Sequence, residues 1–259
     1  MLNIILSFIM ASVWVSASTV LSERLGTKVG GFIITLPSTI IVAFLFMGIA
    51  EGEHFVADAA VVVPAQMGAN AVFLAVFVSL SNRGLRTAVT GALATWFVLA
   101  FTVLTFPPGF MPLSLIIFSS AVIITSIWLR QRYNYKPLLG KRIEYTAVEI
   151  AFRGFFAGGI IAAAVVAASL GGPALGAVFS VFPAIFTSTM IIIYLRQGNE
   201  FTGALGRTMI LGSTNVVAYA VAASILFPEY GSLNGTLLTI AASYTWSAGA
   251  YITIRKFHN

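Results

Sequence analysis

The sequence predicts an all-α polytopic membrane protein: nine transmembrane helices arranged as a 4+1+4 inverted repeat. Three observations predict this fold. The chain is 59% hydrophobic and only 8% charged, whereas soluble domains carry about 25% charged residues. Apolar runs long enough to cross a hydrocarbon core, about 20 residues, recur along nearly the whole length. Glycines, prolines and an asparagine of the first half return in the second at an offset of about 146 residues. A soluble domain would need a polar surface that this composition does not supply.

The spans fall at approximately 2–21, 30–50, 57–80, 86–106, 110–129, 146–169, 174–195, 202–227 and 232–254. Helices are required because lipid offers no partner to a free backbone group. The first, "MLNIILSFIMASVWVSAS", lacks a basic n-region and reads as a span, not a cleaved leader. The breaks between spans are "SERLGTKVG", "EGEH", "SNRGLR", "PPGF", "RQRYNYKPLLGKRIEY", "GGPA", "RQGNE" and "PEYGS". All fourteen basic residues fall on one side of this arrangement, in or beside the odd-numbered breaks and the tail "RKFHN". Basic loops stay cytoplasmic. The expected protein therefore sits in the cell (inner) membrane with its N-terminus outside and its C-terminus in the cytoplasm. The net charge of +6 sets topology, and no nucleic-acid partner is implied.

Residues 1–106 form the first four-span repeat, residues 107–145 an unpaired fifth span and its loop, and residues 146–259 the second repeat. Gly30, Pro37, Gly52 and Phe55 match Gly176, Pro183, Gly198 and Phe201, and with a one-residue slip Asn70 matches Asn215. Thr95–Trp96 recurs as Thr245–Trp246. The odd fifth span inverts the second unit relative to the first. Inverted repeats are a construction rule of secondary transporters, with the site near the midplane where interrupted helices meet.

Pro37 and Pro183 mark that interruption. Each is expected to kink its span roughly 5 Å from the span's centre and to free the carbonyl four residues back, Ile33 and Phe179. Ser38, Thr39, Thr187 and Ser188, with Thr35, Ser180 and Thr189, stand close enough to satisfy the freed groups or to bind solute. Asn70 and Asn215 occupy the centres of the third and eighth spans, with Gln66, Ser213 and Thr214 nearby. An amide in hydrocarbon is costly unless paired, so the two asparagines are expected to face one another across a polar cavity, although such residues also serve as interhelical glue. Glu149 and Arg153, spaced i, i+4, are expected to pair at the start of the sixth span or to act as a gate or coupling element. Gly154, Gly158 and Ala162 have small-xxx-small spacing, which serves close packing within the chain or between two copies in a homodimer. Glu51, Glu53, His54 and Asp58 read as a solvated outer loop. There is no cysteine and no metal motif, and no metal or other cofactor is expected. With no catalytic triad or phosphate loop, no enzyme activity is expected either.

The stretch "ERLGTKVGGFIITLPSTIIVAFLFMGIAEG" resembles small four-helix bacterial membrane proteins of the GlpM-like kind, in which a basic turn leads into a Gly-rich helix with a proline inside it. The likeness covers about the first half of each repeat. The overall plan is similar to small multidrug resistance and related drug/metabolite transporters. That resemblance implies a membrane-embedded glutamate in the first helix. Here the first span has none, and Glu149 is the nearest analogue. Together these observations imply a secondary transporter or facilitator whose partners are a small-molecule or ion substrate and the lipid bilayer. A channel and a non-transport scaffold are the rival classes.

Overall fold

The computed structural model describes residues 2–24, 37–133 and 145–257. Thr35, the Ile33 carbonyl, Gly30 and the inner end of the second span, residues 30–36, lie outside the described residues. Every described element is helical: α1 (Leu2–Arg24), α2 (Ser38–Glu51), α3 (Glu53–Leu80), a 3₁₀ turn (Ser81–Arg83), α4 (Leu85–Thr105), α5 (Met111–Arg132), α6 (Ala147–Ser180), α7 (Ala184–Gly212) and α8 (Thr214–Phe257). The last three are longer than the spans read from the sequence. Each turns at one glycine of positive φ: Gly172 at 79°, Gly198 at 80° and Gly231 at 76°. These glycines fall in the breaks "GGPA", "RQGNE" and "PEYGS". The backbone is non-helical at each of them, so each glycine is a kink at which one helix ends and the next begins without an intervening loop.

The prolines act differently from expectation. Neither sits as a kink inside a continuous helix. Pro37 and Pro183 are the residues from which α2 and α7 start, with similar backbone angles (φ −75° and ψ 52°; φ −76° and ψ 38°). A proline has no N–H to give to a preceding turn, which makes it a natural start for a helix. The repeat extends to the glycine turns. Gly52 (φ 97°, ψ 166°) and Gly198 (φ 80°, ψ −177°) adopt one conformation at equivalent positions, and Gly84 (φ 106°, ψ 156°) and Gly231 (φ 76°, ψ 173°) another such pair. Only glycine enters this region without strain.

Equivalent helices of the two halves pack against each other. In the α1–α6 pair, the Ser16 hydroxyl donates to the Ile150 carbonyl at 3.5 Å and the Phe8 ring meets Phe155 edge-on at 5.4 Å. A Cβ added to Gly154 would stand 2.8 Å from the Ser12 carbonyl oxygen, and one on Gly158 would stand 2.7 Å from that of Phe8. As numbers rise along α1 they fall along α6, so the pair is antiparallel. The small-residue face of α6 is thus filled by α1 of the same chain.

The second equivalent pair is α3 with the segment running from Asn199 to Gly231. Ser232 donates to Glu53 at 3.2 Å at one end, Gly206 packs on Val78 towards the other, and Asn199 bonds Ser81 and Asn82 there. This pairing is antiparallel too and brings the stretch around Asn70 opposite the stretch around Asn215. The hub is α3, which packs on α4, α5, α6, α7 and α8. It holds a proline, Pro64. Beside it the Ala65 N–H is satisfied from outside, by the Ser114 hydroxyl of α5 at 2.8 Å. Helix α5 also lies on Gly68, where Ala121 and Phe118 approach.

Polarity runs inside out. Gln66, Asn70, Arg153 and Asn215 are buried, while Phe97, Phe101, Ile116, Ile124 and Phe155 are exposed. Five helices among the described residues are long and apolar enough to cross a membrane.

Candidate functional site

The two helix starts and the centre of α3 enclose a cavity of about 40 Å³. Pro37, Ser38 and Thr39 line it from α2, Met67 and Asn70 from α3, Val181, Phe182 and Pro183 from the break between α6 and α7, and Val216 from α8. Both halves therefore contribute. A buried water needs roughly 10–15 Å³ measured in this way, so the space holds a few waters or one small ion and no larger solute.

Asn70 organises the wall. Its amide nitrogen donates to the Val181 carbonyl at 2.8 Å, and its carbonyl oxygen accepts from the Trp96 indole N–H at 2.6 Å. Trp96 in turn stands edge-on to Phe182, 4.9 Å between centroids. Asn70 thus ties the centre of one half to the interrupted helix of the other. The carbonyl left without a helical partner is not the expected one. Phe179 accepts from the Phe182 N–H at 3.2 Å. Val181 is the group left for a side chain to satisfy.

The remaining residues read from the sequence scatter around this node. Gln66, one turn from Asn70, is fully buried, and neither of its amide atoms has a hydrogen-bond partner. Asn215 is buried beside Val216 and is engaged in a contact of its own. Thr187, Ser188 and Ser213 are not among the lining residues. They donate to the Pro183, Ile185 and Ile210 carbonyls of their own helix turns. Trp246 is 56% exposed while Trp96 is 2% exposed. The matching tryptophans therefore have different surroundings.

Glu149 and Arg153 do not pair. Glu149 closes a capping box with Thr146 and binds Arg196 of α7 through both carboxylate oxygens, at 2.8 and 2.7 Å. Arg153 points inward, 5% exposed, donating to the Thr189 hydroxyl at 3.1 Å, with its guanidinium 5.0 Å from the Tyr145 ring centre. Two residues escaped sequence reading. Tyr219, one turn from Asn215, is fully buried with an unpaired hydroxyl, and nothing in the spacing distinguishes it from its apolar neighbours. Trp96 was noted, but its partner on another helix leaves no trace in local pattern.

These features define a class: a duplicated all-helical protein with lipid-compatible outer faces and a small, largely apolar cavity where its halves meet. The chain belongs to the family described as protein of unknown function DUF3147, whose model matches it twice, over residues 4–107 and 151–256. The two matches are the two halves, and the comparisons name neither the GlpM-like nor the small multidrug resistance families. No curated protein and no solved structure matches the chain.

Proposed function

We propose that this protein is a secondary transporter or facilitator of a small polar solute, working by alternating access between two inverted repeats of a cell-membrane protein. Counting α6, α7 and α8 as bent at Gly172, Gly198 and Gly231 gives nine spans, with the N-terminus outside and the C-terminus in the cytoplasm. The antiparallel packing of α1 on α6, and of α3 on its equivalent, supports the inversion.

The observation that carries the transport reading is the cavity at the paired proline starts. Interrupted helices that meet at a shared pocket are the arrangement by which transporters hold solute at the midplane. Ser38, Thr39 and Asn70 supply the polar groups of this pocket. A pore would instead conduct without saturating.

The test is uptake into vesicles reconstituted with the purified chain, using a panel of labelled neutral, zwitterionic and ionic solutes. Saturable uptake and counterflow of one class is the expected result. Ohmic conductance without saturation would make the protein a channel. No flux of any class, with both termini accessible from one side, would leave a scaffold.

A further inference from the structure

Among the described residues, Arg153 is a buried cation with no carboxylate in ion-pair contact. Among the described residues its hydrogen bond goes to the neutral Thr189 hydroxyl at 3.1 Å, and its Nε is buried without a partner. Glu149, one turn away, is held by Arg196 and by the Thr146 backbone. Among the described residues, this end of α6 thus brings two arginines to one glutamate. A buried charge with no counter-charge is strongly unfavourable, and ionisable groups within spans are functional candidates by default.

The position matters as much as the charge. Thr189 follows Ile185 and Phe186, which line the cavity, by one turn of α7, or about 5 Å along the helix. The guanidinium therefore lies next to the cavity floor on the side towards Arg196. The Thr189 oxygen accepts from Arg153, and its own O–H remains as a further donor. A guanidinium fork with an adjacent hydroxyl suits the oxygens of a carboxylate or phosphate, which it binds in bidentate fashion.

We infer that Arg153 and Thr189 form an oxyanion site next to the cavity, taking a carboxylate or phosphate group from a solute or from a lipid headgroup. With a solute as the source, the inference builds on the transport reading and makes that solute an anion. Such a group supplies the missing counter-charge.

The experiment measures the melting temperature of the purified chain in neutral detergent, with inorganic phosphate against chloride at equal ionic strength. A parallel arm uses nanodiscs of phosphatidylcholine with or without phosphatidylglycerol. Wild type is expected to gain several degrees, saturably, from phosphate or from phosphatidylglycerol. Arg153→Gln should lose that gain, and Arg153→Lys should keep part of it. A shift with phosphate identifies a soluble anion, and a shift only with phosphatidylglycerol identifies a headgroup. If Arg153→Gln does not fold, wild type against Arg153→Lys decides. Equal responses in wild type and the variants, in both arms, overturn the site. Saturable uptake indifferent to Arg153→Gln would exclude the solute as the source and, with no phosphatidylglycerol shift either, would overturn the site while leaving transport intact. An Arg153-dependent shift without counterflow would do the reverse.

Discussion

At Asn70 one side chain satisfies two groups that hydrocarbon would otherwise strand, the Trp96 indole N–H and the Val181 carbonyl. Removing it leaves both unpaired, and a stranded buried group costs roughly 1–3 kcal/mol. Asn70→Ala is therefore expected to lose more stability than the ~0.6 kcal/mol typical of a membrane hydrogen bond, with Trp96→Phe losing less and the two changes combining non-additively. Unfolding of the single and double variants checks this, and a fully additive pair would mean the indole bond contributes nothing. Glu149 is read from the same kind of geometry. It caps α6 and binds Arg196 at partial exposure, so Glu149→Gln should cost only about 0.5–1 kcal/mol and leave the pH dependence of any uptake unchanged. Loss of pH-driven uptake at full stability would instead make it a proton carrier. The sequence marked Asn70 because a central amide stands out in an apolar span. It misassigned the partner of Glu149 because i, i+4 spacing is visible along a helix while Arg196 arrives from another one.

Among the elements, the closest approach is α6 on α1. Gly154 and Gly158 face the Ser12 and Phe8 carbonyls, whereas an added Cβ on Gly159 next door meets nothing within 4 Å. Without a hydrophobic force between helices in lipid, such close packing carries the association. Gly158→Ala is expected to push α1 away and lower the melting temperature by several degrees, with Gly159→Ala neutral or slightly stabilising. Equal effects at both positions would reduce the contact to helix propensity alone. The small-residue spacing was legible in the sequence, but which helix it would receive was not. The glycine turns were legible as well, because positive φ needs glycine. That helix follows helix there without an intervening loop was not, since a break of a few polar residues looks alike with or without one. Pro64 passed unnoticed in α3 because the bond that compensates it comes from Ser114, 49 residues away.

For the whole molecule, the duplication was readable from paired prolines and glycines, and the family match over both halves agrees with it. The recurring Thr95–Trp96 and Thr245–Trp246 fall within the two matched segments. What periodicity could not supply is how the halves touch, and that contact yields the sharpest test of alternating access. The α3 pairing is tied at both ends at once, by Glu53 with Ser232 at one end and by Asn199 with Ser81 and Asn82 at the other. If one repeat rocks against the other, each opening must break one tie and keep the other. The chain has no cysteine, so pairs can be introduced on a clean background. Glu53→Cys with Ser232→Cys, and Asn82→Cys with Asn199→Cys, are each joined with a short thiol cross-linker in reconstituted vesicles. Each cross-link is expected to stop uptake, and in a cleavable reagent uptake should return on reduction. A membrane-impermeant thiol reagent applied from one face should label the first pair from outside and the second from within, which checks the orientation. Uptake that continues through both completed cross-links would mean the halves do not move against each other, and alternating access would be lost together with the inverted-repeat mechanism.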